Sequence, residues 1–324
     1  MTQPLSLILD GDPGTDDLLA WMWVLALPHR ARVLGITTVN GNVTLDRTTA
    51  NALSFLDHVG ATDIPVHAGA KAPLGKDEPP PGDGAFAESG LGDLVLAPSL
   101  RHAASPDAIG WMAQALRSCP PRTVTFVATG PLTNLALLRQ RAPDAYARIA
   151  RIVAMGGSFA PLPPNFVRRG NVTPFAEFNF WMDAAAAQSV LNGGVPVLLA
   201  PADVTHQLIS NPARMAAARA LPRFGREVAL MLNAPYHLDK PKFHTDGAFL
   251  HDPTVVAGLF YPEFFETLRA QTHIVQEGTG IGAGLLLPDG AGSVEVMVRV
   301  KDTNAFYDRL FGDLAGHYTD GQHS

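Results

Sequence analysis

Short apolar runs alternate with longer helical segments along most of the chain. The run "LSLILD" at residues 5–10 predicts a buried strand, and "DDLLAWMWVLALP" behind it predicts a helix, apolar all round and hence buried, ended by Pro28. The same order recurs: "RVLGITTVN" predicts a strand, "LDRTTANALSFLDHVG" a helix with Thr44 as N-cap, and "IPVHAG" a further short strand. "SPDAIGWMAQALRS" predicts a helix capped by Ser105 with Pro106 at its first position, followed by the strand "TVTFVAT" and the helix "LTNLALLRQ". "RIVAMGG", "DAAAAQSVLNG" and "VPVLLAPAD" continue as strand, helix and strand.

Strands that are continuous apolar runs, each followed by a helix, predict an α/β fold: a mostly parallel central sheet with helices on both faces. Toward the C-terminus "AQTHIVQ" and "GSVEVMVRV" predict a small antiparallel addition at a sheet edge, before a final helix around "DTNAFYDRLFGDL". No internal repeat or linker divides the chain, so residues 1–324 are expected to form one domain. Two segments break the alternation: residues 69–100, rich in Pro and Gly, and residues 156–180, dense in polar and aromatic side chains. Long irregular segments in a compact domain are either working loops or spacers, and the first is open between a lid and a surface excursion.

The 324 residues are 47% hydrophobic and carry 24 Lys and Arg against 30 Asp and Glu, a net charge of −6. That balance lacks the basic footprint of a nucleic-acid binder, Arg168 and Arg169 being an isolated pair. Cys119 is the only cysteine, which rules out an intrachain disulfide and a thiolate metal centre and fits a reducing cytoplasm. The N-terminus shows neither the basic start nor the completed apolar core of a signal peptide, and no stretch makes a convincing membrane span, so no membrane partner is expected.

In an open α/β sheet, ligands bind beyond the C-terminal ends of the strands. The first predicted strand leads there to Asp10, Asp12, Asp16 and Asp17, the second to Asn40 and Asn42, and later ones to Thr129, Met155 and Asp203. Carboxylates in the first turn of a helix are favoured by its dipole, which accounts for Asp16 and Asp17 but not for Asp10 and Asp12. Carboxylates so close repel and raise one another's pKa unless a cation neutralises them. Oxygen donors with no cysteine and no paired-histidine motif indicate calcium or magnesium rather than zinc. Such an ion needs more oxygens than two aspartates supply. A further donor is offered by "FLHDPTVVAG", where His251 and Asp252 open a predicted helix as a potential acid and metal ligand.

The sequence resembles the inosine–uridine-preferring nucleoside hydrolases, calcium-dependent enzymes that cut the N-glycosidic bond of ribonucleosides. The resemblance is carried by "DGDPGTDD", "VNGNVTLDRTTANAL", "TGPLTNLA" at 129–136, "GNVTPFAEFNFWMD" at 170–183 and "HDP" at 251–253, in the family's order over nearly the whole chain. It implies that Ca2+ is bound by Asp12, Asp17, the Thr129 backbone carbonyl and Asp252, with one water and two ribose hydroxyls completing the shell. Asp16 matches the general base. Asn42, Asn171, Glu177 and Asn179 match the residues that hold the ribose hydroxyls and 5′ group, Met155 the apolar contact under the sugar, and Asp10 a support behind the cluster. Family members are usually homodimers or homotetramers. Breaking a C1′–N bond produces an oxocarbenium-like sugar and calls for an activated water, charge stabilisation and help for the departing base.

Help for the base is where the sequence departs from the family. In "AFAESGLGD", Phe86 stands where many purine-accepting members carry a histidine, which leaves His251 as the acid and Phe86 open between stacking on a base and shielding the site. His237 and His244, in "NAPYHLDKPKFHTDG", are further candidates to border the base. Two rival readings remain. A phosphoryl-transfer enzyme of the haloacid-dehalogenase type also has Asp-x-Asp after a strand, but Pro13 and Gly14 break its pattern and no later lysine-and-acid set follows. A catalytically inactive nucleoside- or ribose-binding homologue would keep the fold and metal, and the presence of both Asp16 and His251 argues against it.

Overall fold

β1 (Leu5–Gly11) points Leu7 and Leu9 into one apolar layer and Ile8 into the opposite one. A sheet covered on both faces requires this period of two. The computed structural model describes residues 3–78, 89–159, 169–287, 292 and 294–319, so Phe86 and Arg168 lie outside the described residues.

α1 (Thr15–Leu25) follows β1 directly and is buried from Thr15 through Val24, as its apolar sequence predicts. β2 (Ala31–Thr38), α2 (Leu45–Val59) and β3 (Val66–Ala68) repeat the unit, with Thr44 at the N-cap position and Gly60 closing α2 at φ 78°. α3 (Ala108–Ser118) begins later than its sequence predicts. Its N-cap is Asp107, which accepts the Gly110 N–H at 3.0 Å, while Ser105 Oγ accepts the N–H of Asp107. The charged acceptor takes the cap, and the serine orders the turn before it.

β4 (Val124–Ala128), α4 (Thr133–Arg141), α5 (Pro143–Tyr146) and β5 (Ile149–Met155) come next. α6 (Phe178–Met182) lies at the end of the segment read as irregular. α7 (Ala184–Leu191), β6 (Val197–Ala200) and α8 (Ala202–Thr205) return to the alternation. The rest comprises β7 (Ile209–Ser210), α9 (Pro212–Arg219), α10 (Gly225–Asn233), α11 (Tyr236–Phe243), β8 (Ala248–Phe249), α12 (Pro253–Phe260), β9 (Phe265–Ile274), β10 (Gly284–Leu287), β11 (Val294–Val300) and α13 (Thr303–His317).

Among the described residues, nine strands form the main sheet in the order β10-β9-β11-β6-β5-β4-β1-β2-β3. From β11 to β3 all neighbours are parallel, and β9 and β10 add antiparallel pairs at one end. β11 is therefore an inner strand and not the edge its alternation predicts. Its polar positions find partners on other strands of the sheet: Glu295 accepts from Arg151 of β5, across β6, at 3.1 Å and from Thr267 of β9 at 2.8 Å, and Arg299 pairs with Glu266. The edge is β10.

Two apolar layers cover the sheet. One packs α1, α2, α10, α12 and α13 against Leu7, Val127, Val153 and Leu198, and the other packs α3, α4 and α7 against Ile8, Phe126, Ile152 and Leu199. Trp21 and Trp23 are fully enclosed in the first layer, where truncating such a ring costs about 3–5 kcal/mol. Asp313 of α13 accepts from Trp23 Nε1 at 2.8 Å and from the Tyr261 hydroxyl at 2.5 Å, fastening the last helix to the first. No helix among the described residues is long and apolar enough to cross a membrane.

Candidate active site

The chain leaves β1 through Gly11 and turns at once into α1, so the aspartates of this turn gather at the C-terminal edge of the sheet. Asp12 Oδ2 accepts the backbone N–H of Asn42 at 2.6 Å, from the loop after β2. Gly41 and Gly130 crowd the same carboxylate: a Cβ on Gly130 would lie 2.5 Å from Asp12 Oδ1, and one on Gly41 would collide with Oδ2. Asp17 Oδ2 accepts the N–H of Gly14 at 2.9 Å, and its Oδ1 accepts the Thr129 hydroxyl at 2.5 Å. Beneath them Asp10 Oδ1 accepts from Thr37 at 2.5 Å and from Asn134 at 2.8 Å, which ties β1 to β2 and α4.

The other half of the chain arrives at the same place through β7 and β8, whose antiparallel pairing sets the start of α12 beside α8. Asp252 is the N-cap of α12, ahead of Pro253. Carboxylate oxygens of Asp16, Asp17 and Asp252 lie within 4.8 Å of one another, all three residues buried. Burial, reinforced by mutual repulsion, raises Asp12 and Asp252 well above the usual carboxylate range and pushes Asp16 up to about 7. Burial also raises Asp17, and it brings Asp10 to about 6 against the pull of its bonds to Asn134 and Thr37.

Such a cluster is unfavourable without a compensating positive charge. Asp12 Oδ1 and Asp10 Oδ2 are buried with no hydrogen-bond partner. Oxygen donors left unsatisfied in this way, with no thiolate among them, fit a hard divalent cation.

A pocket opens over the cluster, a concave site on which several polar groups converge, as in small-molecule sites generally. Asp12, Asp16, Asn42, Thr129 and Asp252 form its polar floor, while Asp17 and Asp10 lie beneath. One wall is the start of α6. Glu177, the N-cap, spends Oε1 on the Asn179 N–H at 2.8 Å and Oε2 on the Gly157 N–H at 2.7 Å, and burial pushes its carboxyl up to about 7. Asn179 Nδ2 donates to the Thr129 carbonyl at 2.8 Å, with Met155 Sδ at 3.4 Å. Asn171 accepts the Phe178 N–H at 2.9 Å through Oδ1. His251 closes the far side, its Nδ1 against the Thr205 hydroxyl at 2.7 Å, and burial lowers it to about 4.

The structure thus brings together the residues singled out in the sequence, including Met155 and His251, with Asp10 behind them. His237 and His244 are exposed and do not line the pocket. Asp239 and Lys242, from the same α11 segment, do. Lys242 Nζ donates to the Asn171 carbonyl at 2.7 Å, and Asp239 accepts the Phe249 N–H at 2.9 Å and is pushed up to about 7 by burial. Their three-residue spacing puts them on one helical face, the signal that would have found them. Val172, Phe178 and Pro235 add apolar lining. Asp203 stands apart from the pocket and accepts the Phe159 N–H at 2.6 Å.

Comparison with known proteins gives a consistent result. Residues 7–308 match the model of the family described as inosine-uridine preferring nucleoside hydrolase. An uncharacterized protein of Schizosaccharomyces pombe is 39% identical over 319 residues, covering 96% of this chain and 99% of its own. The pyrimidine-specific ribonucleoside hydrolase RihA of Salmonella arizonae is 40% identical over 277 residues, 85% of each chain. Among solved structures, a purine-preferring ribonucleoside hydrolase from Gardnerella vaginalis superposes with a TM-score of 0.85 at 28% identity, covering 96% of this chain and 98% of the other.

Proposed function

The chain belongs to the inosine-uridine preferring nucleoside hydrolase family and is a ribonucleoside hydrolase, and from that premise we propose that it works with Ca2+ and with Asp16 as general base. Asp12, Asp17, Asp252 and the Thr129 carbonyl would hold the ion. The observation that carries this reading is the convergence of buried aspartates from two distant stretches of the chain at one pocket floor, with Asp12 Oδ1 unpartnered. When bound, a divalent cation supplies positive charge for vicinal ribose hydroxyls and acidifies water beside it.

The remaining roles fall to side chains. Asp16 takes a proton from the water whose oxygen forms the new bond to C1′, as the C1′–N bond breaks and its electron pair leaves with the base. Asn42, Asn171, Glu177 and Asn179 hold the ribose, with Met155 beneath it, so that C1′ meets the water in line. Surrounding carboxylates favour the cationic character of the sugar. His251 serves the departing base as acid. Asp10 fixes the turn from below. The whole chain acts as one catalytic domain, expected as a cytoplasmic homodimer or homotetramer on the strength of the family resemblance.

The test is an incubation with a panel of purine and pyrimidine ribonucleosides in calcium, reading free base and reducing sugar. Release that disappears with chelator and returns with calcium is expected. Binding without release would mark a nucleoside-binding protein instead.

A further inference from the structure

Thr205 lies outside the pocket, fully buried at the C-terminal end of α8, with Oγ1 2.7 Å from Nδ1 of His251. The pairing of β7 with β8 brings them together, reinforced by the Leu250 N–H donating to the Leu208 carbonyl at 2.9 Å. His251 lines the pocket, so with Nδ1 turned to Thr205, Nε2 is the ring nitrogen left for a ligand. The ring is held in place by its neighbours. His206 stands edge-on to it at 5.5 Å and stacks on Phe249 at 4.1 Å.

A threonine hydroxyl has one hydrogen to give. Its other acceptor is the Ala202 carbonyl at 3.5 Å, well beyond the ~2.5–3.0 Å of a good O–H···O bond. Were His251 to donate through Nδ1, the Thr205 hydrogen would be left buried with only that distant carbonyl, a costly arrangement. The hydrogen therefore goes to Nδ1, and the partner of one imidazole nitrogen decides what the other carries.

We propose that Thr205 is a positioning residue: by donating to Nδ1 it keeps His251 in the tautomer with hydrogen on Nε2, so that a neutral imidazole presents a hydrogen-bond donor to the departing base. This rests on the nucleoside-hydrolysing reading of the pocket. This refines the acid role of His251: a neutral N–H fixed in place stabilises charge building on the leaving base by hydrogen bonding and keeps its own proton, and it needs no rearrangement as the bond breaks.

Two measurements decide it. In protein labelled with 15N-histidine, with the His251 signals assigned by loss in His251→Asn, two-bond 15N–1H correlations are expected to show hydrogen on Nε2; hydrogen on Nδ1 would overturn the proposal whether or not any nucleoside is cleaved. In calcium, Thr205→Val and Thr205→Ser are then compared on uridine, inosine and 4-nitrophenyl β-D-ribofuranoside, whose nitrophenolate leaves without help. Thr205→Val is expected to lower the ratio of nucleoside to nitrophenyl-riboside turnover on the order of tenfold, the loss of one hydrogen bond, and Thr205→Ser to restore most of it. An equal loss on all three substrates would mean a merely structural threonine and sink the inference. Wild-type protein that cleaves no ribonucleoside would overturn the hydrolase reading, while the tautomer result still stands or falls by itself.

Discussion

Asn179 donates its side-chain N–H to the backbone carbonyl of Thr129 at 2.8 Å, hooking α6 onto the end of β4. One amide thus orients a carbonyl at the edge of the acidic cluster and fixes one wall of the pocket. Asn179→Leu keeps the bulk and removes the hook. The expected outcome is a KM for ribonucleosides raised on the order of tenfold, with weaker calcium binding by calorimetry. Unchanged values for both would make the contact idle.

Asp16 sits at the pocket floor within reach of Asp17 and Asp252. If it acts on water and not on the ion, Asp16→Asn should lower kcat by roughly 10²–10⁴, the usual worth of a general base, while calcium titration still shows one bound ion. Loss of the ion together with turnover would reassign Asp16 as a ligand.

The cation-free protein should become less stable as pH rises. Burial places Asp10 at about 6 and Asp16 and Glu177 at about 7, above the ~4 of carboxyls in an unfolded chain. Between about pH 4 and 7 the raised carboxyls, Asp12, Asp239 and Asp252 included, hold more protons in the native state than in the unfolded one and outnumber the buried histidines His67, His206 and His251, which are lowered and pull the other way, so each step up in pH favours unfolding. Melting in chelator is expected to show a Tm that falls from pH 5 to pH 8, and calcium at pH 8 should recover it; an ion at a hundred times its Kd adds about 2.7 kcal/mol. A Tm in chelator that climbs over this range would contradict the buried-acid account.

Lys242 reaches from α11 to the Asn171 carbonyl at 2.7 Å and lines the pocket. Lys242→Met keeps most of the stem but cuts the strap between two pocket walls. Nucleoside KM is expected to rise severalfold with Tm nearly unchanged, since half-exposed contacts contribute little to stability. A large Tm loss with unaltered KM would place the lysine's role in the fold alone.

Much of this was legible beforehand, for reasons that particular residues make plain. The parallel strands announce themselves because both faces are buried, so "LIL" at 7–9 and "FVA" at 126–128 are unbroken apolar runs. β11 reads as an edge because its alternation includes Glu295 and the exposed Arg299, whereas the strand that makes it an inner one, β6, and Glu295's partner Arg151 on β5 lie far away in sequence. Ser105 competed with Asp107 for one cap two residues apart, a choice local preference leaves open. Asp12, Asp17 and Asp252 stood out because clustered acids are hard to explain otherwise. Lys242 and Thr205 did not, since a lysine on a short helix and a threonine after a strand are ordinary until β7 and β8 set them in place. His237 and His244 drew notice by residue type, but exposure removed them.

The acids that converge at the sheet edge come from the turn between β1 and α1 and from the cap of α12, which lie far apart in the chain. A nascent polypeptide emerging from the ribosome therefore has no complete cradle for an ion until α12 has been synthesised and the strands between have docked. Occupancy of such a site would be a mark of finished folding, and a single proteolytic nick that frees the segment carrying Asp252 would release a bound ion along with it.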